Sequence, residues 1–157
     1  RFTEERTEMP YLMDIYALAP ERSAAAVERF LARFLPHREP AAVDYWVQLG
    51  DIRPVVVFCT PEELAEYCEA HSEAEARAYW NSRSDDDPHS AHVFFLAAGG
   101  LVLGLSVAVD DQAAWDRWLD DLMSFVGATY GYWTGECPPE DTIAEFIAVA
   151  QKARQES

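Results

Sequence analysis

The stretch HVFFLAAGGLVLGLSVAV, residues 92–109, decides the fold. Two runs rich in β-branched and aromatic residues flank Gly99-Gly100, and glycines supply the positive φ that a tight turn between antiparallel strands needs. Both runs are apolar at nearly every position rather than at alternate ones, so this hairpin lies centrally in the sheet. Gly104, inside the second run, signals a bulge or the close approach of another group to the backbone.

Toward the N-terminus, YLMDIYAL (11–18) has strand composition, and Val27, Phe30, Leu31, Phe34 and Leu35 then recur at helical spacing until Pro36. VDYWVQL (43–49) places Val43, Tyr45, Val47 and Leu49 on one face at period two, and PVVVFC (54–59) follows Gly50-Asp51 as its hairpin partner. Thr60-Pro61-Glu62-Glu63 is a helix start, with a threonine cap, a proline at the first helical position and a glutamate placed to close a capping box. Leu64, Tyr67, Cys68 and His71 continue on one face. Ser72 with Glu75 repeats the capping pattern, which predicts that the helix bends or restarts there and runs to Trp80, where the Ser/Asp/Pro cluster 82–90 ends it.

On the C-terminal side, Asp110-Asp111 precedes a stripe of Ala114, Trp115, Trp118, Leu119, Leu122, Met123 and Val126, closed by Gly127. TYGYWTG (129–135) reads as a short strand, and Thr142 with Glu145 caps a last helix carrying Ile143, Phe146, Ile147 and Ala150. The expected order is β-α-β-β-α-β-β-α-β-α. That is an α+β fold, a mainly antiparallel sheet with helices packed on it as a layer. The 157 residues fit one domain, taken as 9–157, with residues 1–8 ahead of Met9 set apart as an arm or expression remnant.

Charge narrows the function. Residues 1–53 hold nine acids and seven bases, whereas residues 54–157 hold 19 acids and five bases, so nearly all of the net charge of −16 lies in the last two thirds. Such a field repels nucleic acid and anionic membranes, and Lys152 is the single lysine available to meet a phosphate backbone. A negative surface attracts basic partners and speeds their encounter, although acidity also serves solubility alone. Cys59, Cys68 and Cys137 are widely spaced and form no CxxC, as expected for reduced thiols in a cytoplasmic protein. No run of 18 apolar residues occurs and RFTEERTEMP lacks a signal-peptide plan, so neither a membrane span nor secretion is expected.

The loop NSRSDDDPHSAH (81–92) holds Asp85, Asp86, Asp87, His89 and His92, types that bind metal, but without EF-hand spacing or a zinc pattern. It reads as a solvated acidic turn or a partner-facing loop. Glu62, Glu63, Glu66, Glu69, Glu73 and Glu75 add to the same expected field. Cys59 and Cys68 sit in apolar patterns that read as core, no Cys or Ser carries an activating neighbour in sequence, and Glu136, Glu140 and Asp141 are acids expected at a helix start. No catalytic residues, metal ligands or cofactor are assigned. The expected partner surface comprises Glu66, Glu69, Glu73, Trp80, Asp85, Asp86, Asp87, Tyr132 and Trp133: carboxylates that recruit Arg and Lys around aromatic anchors.

The acidic α+β plan, with FFLAAGGLVLGLSVAVDD (94–111) and GYWTGECPPEDTIAEF (131–146), resembles the small immunity proteins encoded beside bacterial polymorphic toxins. That resemblance implies cytoplasmic neutralisation of a cognate toxin, often a basic nuclease or a deaminase, by occluding its active site or a nearby surface. Two other classes stay open. One is an enzyme or small-ligand binder with a cleft between the sheet and the acidic loops; the other is a self-associating domain whose exposed aromatics form a symmetric interface.

Overall fold

The computed structural model describes residues 12–50, 52–85 and 88–156. Its elements are β1 (Met13–Leu18), α1 (Ala24–Phe34), β2 (Arg38–Pro40), β3 (Tyr45–Leu49), β4 (Ile52–Phe58), α2 (Pro61–Ala70), β5 (Ala74–Ser82), β6 (Ser90–Phe95), β7 (Leu101–Val107), α3 (Gln112–Val126), β8 (Gly131–Gly135) and α4 (Ile143–Glu156). All strand pairings are antiparallel, in the order β4-β3-β5-β6-β7-β1-β8, with β2 also pairing to β5. The fold is α+β. The expected arm 1–8 lies outside the described residues.

The β6–β7 hairpin is central, as its composition requires. It runs in register from Ser90↔Ser106 to Phe95↔Leu101, and the turn places Gly99 at φ +88° and Gly100 at φ +105°. Every residue of β7 is buried. Gly104 marks a close approach rather than a bulge: a Cβ there would lie 2.7 Å from Cδ1 of Tyr16, whose ring rests on the bare backbone.

Period two sorts the side chains onto two faces. Ile15, Val93, Phe95, Leu103, Leu105 and Val47 point to one face, where α1, α2 and α3 form the helical layer over the main core. Tyr16, Phe94, Val102 and Tyr132 point to the other, which α4 covers with Phe146 and Ala150. Strands apolar on both sides need cover on both sides, so α4 crosses to the second face. It reaches only the β8 end, and toward β3 and β4 this face lies open, with Trp46 56% and Val57 46% exposed opposite one another.

Three local expectations are corrected. Residues 74–82 are strand β5, not helix: α2 stops at Ala70, and Ala74, Ala76, Ala78 and Trp80 turn inward while Glu75, Arg77 and Asn81 face out. Glu75 closes no capping box because its backbone pairs with Gln48 of β3. Val43 is 84% exposed, since β3 begins only at Tyr45. Cys59, expected in the core, is exposed beyond the end of β4. The sequence reading also passes over β2, whose Pro40 is tolerated because the short strand lies at a sheet margin.

Arg22 ties the helical layer to the central hairpin. Its Nε donates to Cys68 O, Nη1 to Leu96 O and Gly100 O, and Nη2 to His71 O and Ala74 O, at 2.6–3.0 Å. All five N–H groups of a guanidinium are thereby used. One side chain joins the end of α2, the start of β5 and the Gly99-Gly100 turn.

Candidate functional site

Two places bring chemistry-bearing side chains together. The first is a groove between α1 and α2. Ser23 caps α1 by accepting from Ala26 N at 3.1 Å, and Thr60 caps α2 by accepting from Glu63 N at 3.3 Å, with Pro61 opening the helix. The helices run side by side over the sheet and leave a cavity of about 260 Å³. Val27, Leu31 and Ala65 form its walls, Trp80 its floor, and Glu28, Glu62 and Glu66 its rim. The exposed side of α2 carries Glu62, Glu63, Glu66 and Glu69, and the helix contains no basic residue. Both salt bridges found among the described residues, Arg38–Glu28 and Arg83–Glu39, leave these four glutamates untouched.

The second place is a buried polar network on the α4 side of the sheet. The register sets Asp14 beside Ser106 and Ser106 beside Ser90. Ser106 Oγ–H donates to Asp14 Oδ1, while His92 Nε2 lies 3.2 Å from Ser106 Oγ and 3.0 Å from Ser90 Oγ. Burial raises the Asp14 carboxyl above its ordinary value, against the lowering effect of the Ser106 hydrogen bond. Burial also lowers His92 to about 4, so its imidazole is neutral at pH 7. The hydroxyl therefore sits between carboxylate and imidazole. In an activated serine triad the imidazole occupies the middle place and takes the serine proton. Here Ser106 points its hydroxyl hydrogen at Asp14 as a hydrogen-bond donor, and Asp14, Ser90 and Ser106 are all buried. Tyr16, whose hydroxyl donates to Cys137 O at 2.6 Å, holds the loop after β8 against the adjacent ring row. Among the described residues the arrangement leaves no buried side-chain polar atom without a hydrogen-bond partner.

The expected partner surface is only partly assembled. Glu66 and Trp80 both line the groove, while Glu69, on α2, and Glu73, just after it, are exposed but do not line it. Trp80 is corrected from a surface anchor to a core side chain, 2% exposed, because strand β5 turns it under the helices. Tyr132 is likewise corrected. It is 4% exposed, its ring lies tilted against Phe146 with centroids 4.8 Å apart, and its hydroxyl accepts from Glu140 N. Trp133 is half-buried against Trp115 and donates to Asp116 Oδ1 at 2.9 Å, so it too is engaged within the fold. Asp85 is exposed but lies beyond the far end of β5 from Glu73, about 30 Å of strand away, which separates the loop from the C-terminal part of α2. Asp86 and Asp87 lie outside the described residues.

Among the described residues no group of three or more His, Cys, Asp or Glu is placed to hold a metal ion. No described helix is long and apolar enough to cross a membrane. Cys68 is buried and its thiol is pushed up to about 11 by that burial, whereas Cys59 and Cys137 are exposed. Sequence reasoning missed the network because its members come from β1, β6 and β7. The available signal was a polar residue interrupting each of three central apolar strands. It also missed the groove, which needed 74–82 to be read as a strand. No protein-family model, curated protein or solved structure matches the chain.

Proposed function

We propose that this chain acts by binding rather than by catalysis, as an acidic module that recognises a basic protein and, in line with its resemblance to immunity proteins, neutralises a cognate toxin. The observation that carries the reading is the exposed side of α2, where Glu62, Glu63, Glu66 and Glu69 stand without basic neighbours on the helix. Clustered carboxylates of one sign steer a basic surface toward them and disfavour anionic ligands. The cytoplasm is the compartment in which such neutralisation would act.

The test is co-expression with the product of the adjacent reading frame in a host that this product harms. Restored growth together with a co-purifying stoichiometric complex supports the reading. Growth arrest despite abundant folded chain contradicts it.

A second reading is favoured by Trp46 and Val57, neighbours on the open sheet face beside the edge strand β4. Apolar side chains at a sheet margin suit self-association. Sedimentation of the chain alone decides this: a dimer abolished by Trp46→Ser supports it, and a monomer at high concentration contradicts it.

A further inference from the structure

We infer that the groove between α1 and α2 is a receptor for one arginine side chain projecting from the basic partner. This rests on the binding-module reading and specifies where the partner docks. The groove's size is the first argument. About 260 Å³ falls below the roughly 300–1,000 Å³ of pockets that hold small organic ligands, and suits a single long side chain. Its opening exists because Ala24, Ala25 and Ala65 present small side chains where the two helices face each other.

Its chemistry is the second argument. The walls made by Val27, Leu31 and Ala65 match the aliphatic stem of an arginine, which gains by leaving water while its head stays at the rim. Glu62 and Glu66 lie one helical turn apart and so face the same way. A planar guanidinium can donate to both, a fork that the single ammonium of lysine cannot reproduce. Glu28 is the third rim carboxylate, and its Oε1 is shared with Arg38 at 3.5 Å. The partial positive charge at the start of α2, which alone would oppose a cation, is offset by Glu62 and Glu63 in its first turn.

The probe is a synthetic arginine–serine repeat peptide, compared with the same peptide carrying uncharged citrulline in place of arginine. Binding is measured by calorimetry at low salt, with the Trp80 indole N–H resonance as the local reporter. Two variants act at the groove without touching the core: E62K/E66K inverts the rim, and Ala25→Trp fills the opening from an exposed helix position. The expected result is that the arginine peptide binds and shifts the Trp80 signal, that each variant weakens binding by about tenfold or more, and that the citrulline peptide does not bind. Binding that survives Ala25→Trp and leaves the Trp80 signal in place would overturn the groove while sparing the acidic-module reading. Absence of binding by the arginine peptide to the unaltered chain would overturn the groove and count against the module as well.

Discussion

Arg22 is a cation held almost entirely by backbone carbonyls, and burial lowers its pKa from the ordinary arginine value without a carboxylate in direct contact among the hydrogen bonds it makes. Replacing it with methionine keeps much of the stem and removes five hydrogen bonds at the junction of α2, β5 and the central turn, leaving Leu96 O, Gly100 O and His71 O with only their backbone donors. The expected loss is about 3–5 kcal/mol, measured by urea denaturation. A loss under about 1 kcal/mol would show that water replaces the guanidinium freely. His92 gives a pH prediction whose sign follows from its depressed pKa. The unfolded chain takes up this proton near 6.5 and the native state only near 4, so between those values the unfolded state holds more protons and acidification destabilises the fold. The shift is worth up to about 3 kcal/mol. Asp14 acts in the opposite sense, because its raised pKa lets the native state protonate first and gain stability as the pH falls. Urea midpoints at pH 7 and pH 4.5 should therefore fall less in His92→Gln than in the unaltered chain. Equal falls would remove His92 from the acid response.

At the scale of elements, β5 shows what a sequence conceals. AEARAYWNS is rich in alanine and follows a capping-box pattern, both helical signals, yet Ala74, Ala76, Ala78 and Trp80 share one face only at period two. Propensity argued for helix, and pairing on both sides with β3 and β6 overrides it. The β6–β7 hairpin, α1, α3 and the capped starts of α2 and α4 were legible because composition, periodicity and turn chemistry agreed there. The groove was not, since it depends on Trp80 lying beneath α1 and α2. Neighbouring substitutions test β5 directly. Ala76→Asp should cost more than about 3 kcal/mol by burying an unpaired charge, while Arg77→Asp, on the exposed face, should stay within about 0.5 kcal/mol. Similar costs at both positions would contradict the strand.

For the whole molecule, the decisive feature is the separation of roles between the two sides of one sheet. One side carries the helical layer and, between α1 and α2, the acidic groove; the other is closed by α4 at one end and open at Trp46 and Val57. Asp14 and Ser106 are buried and His92 is half-buried beside them, whereas the glutamates of α2 are exposed and form the surface that the proposed reading assigns to a partner. Charge of this kind acts mainly on encounter, so its effect must appear in the association rate and fade as salt screens it. The most direct test is the association rate of this chain with the purified product of the adjacent reading frame, measured by stopped-flow at low and near-physiological salt, for the unaltered protein and for a variant with Glu62, Glu63, Glu66 and Glu69 changed to lysine. Fast association that falls about tenfold or more with added salt, and as much again in the variant, is the expected result. No association at low salt, or a rate indifferent to both salt and charge reversal, would contradict the acidic binding module.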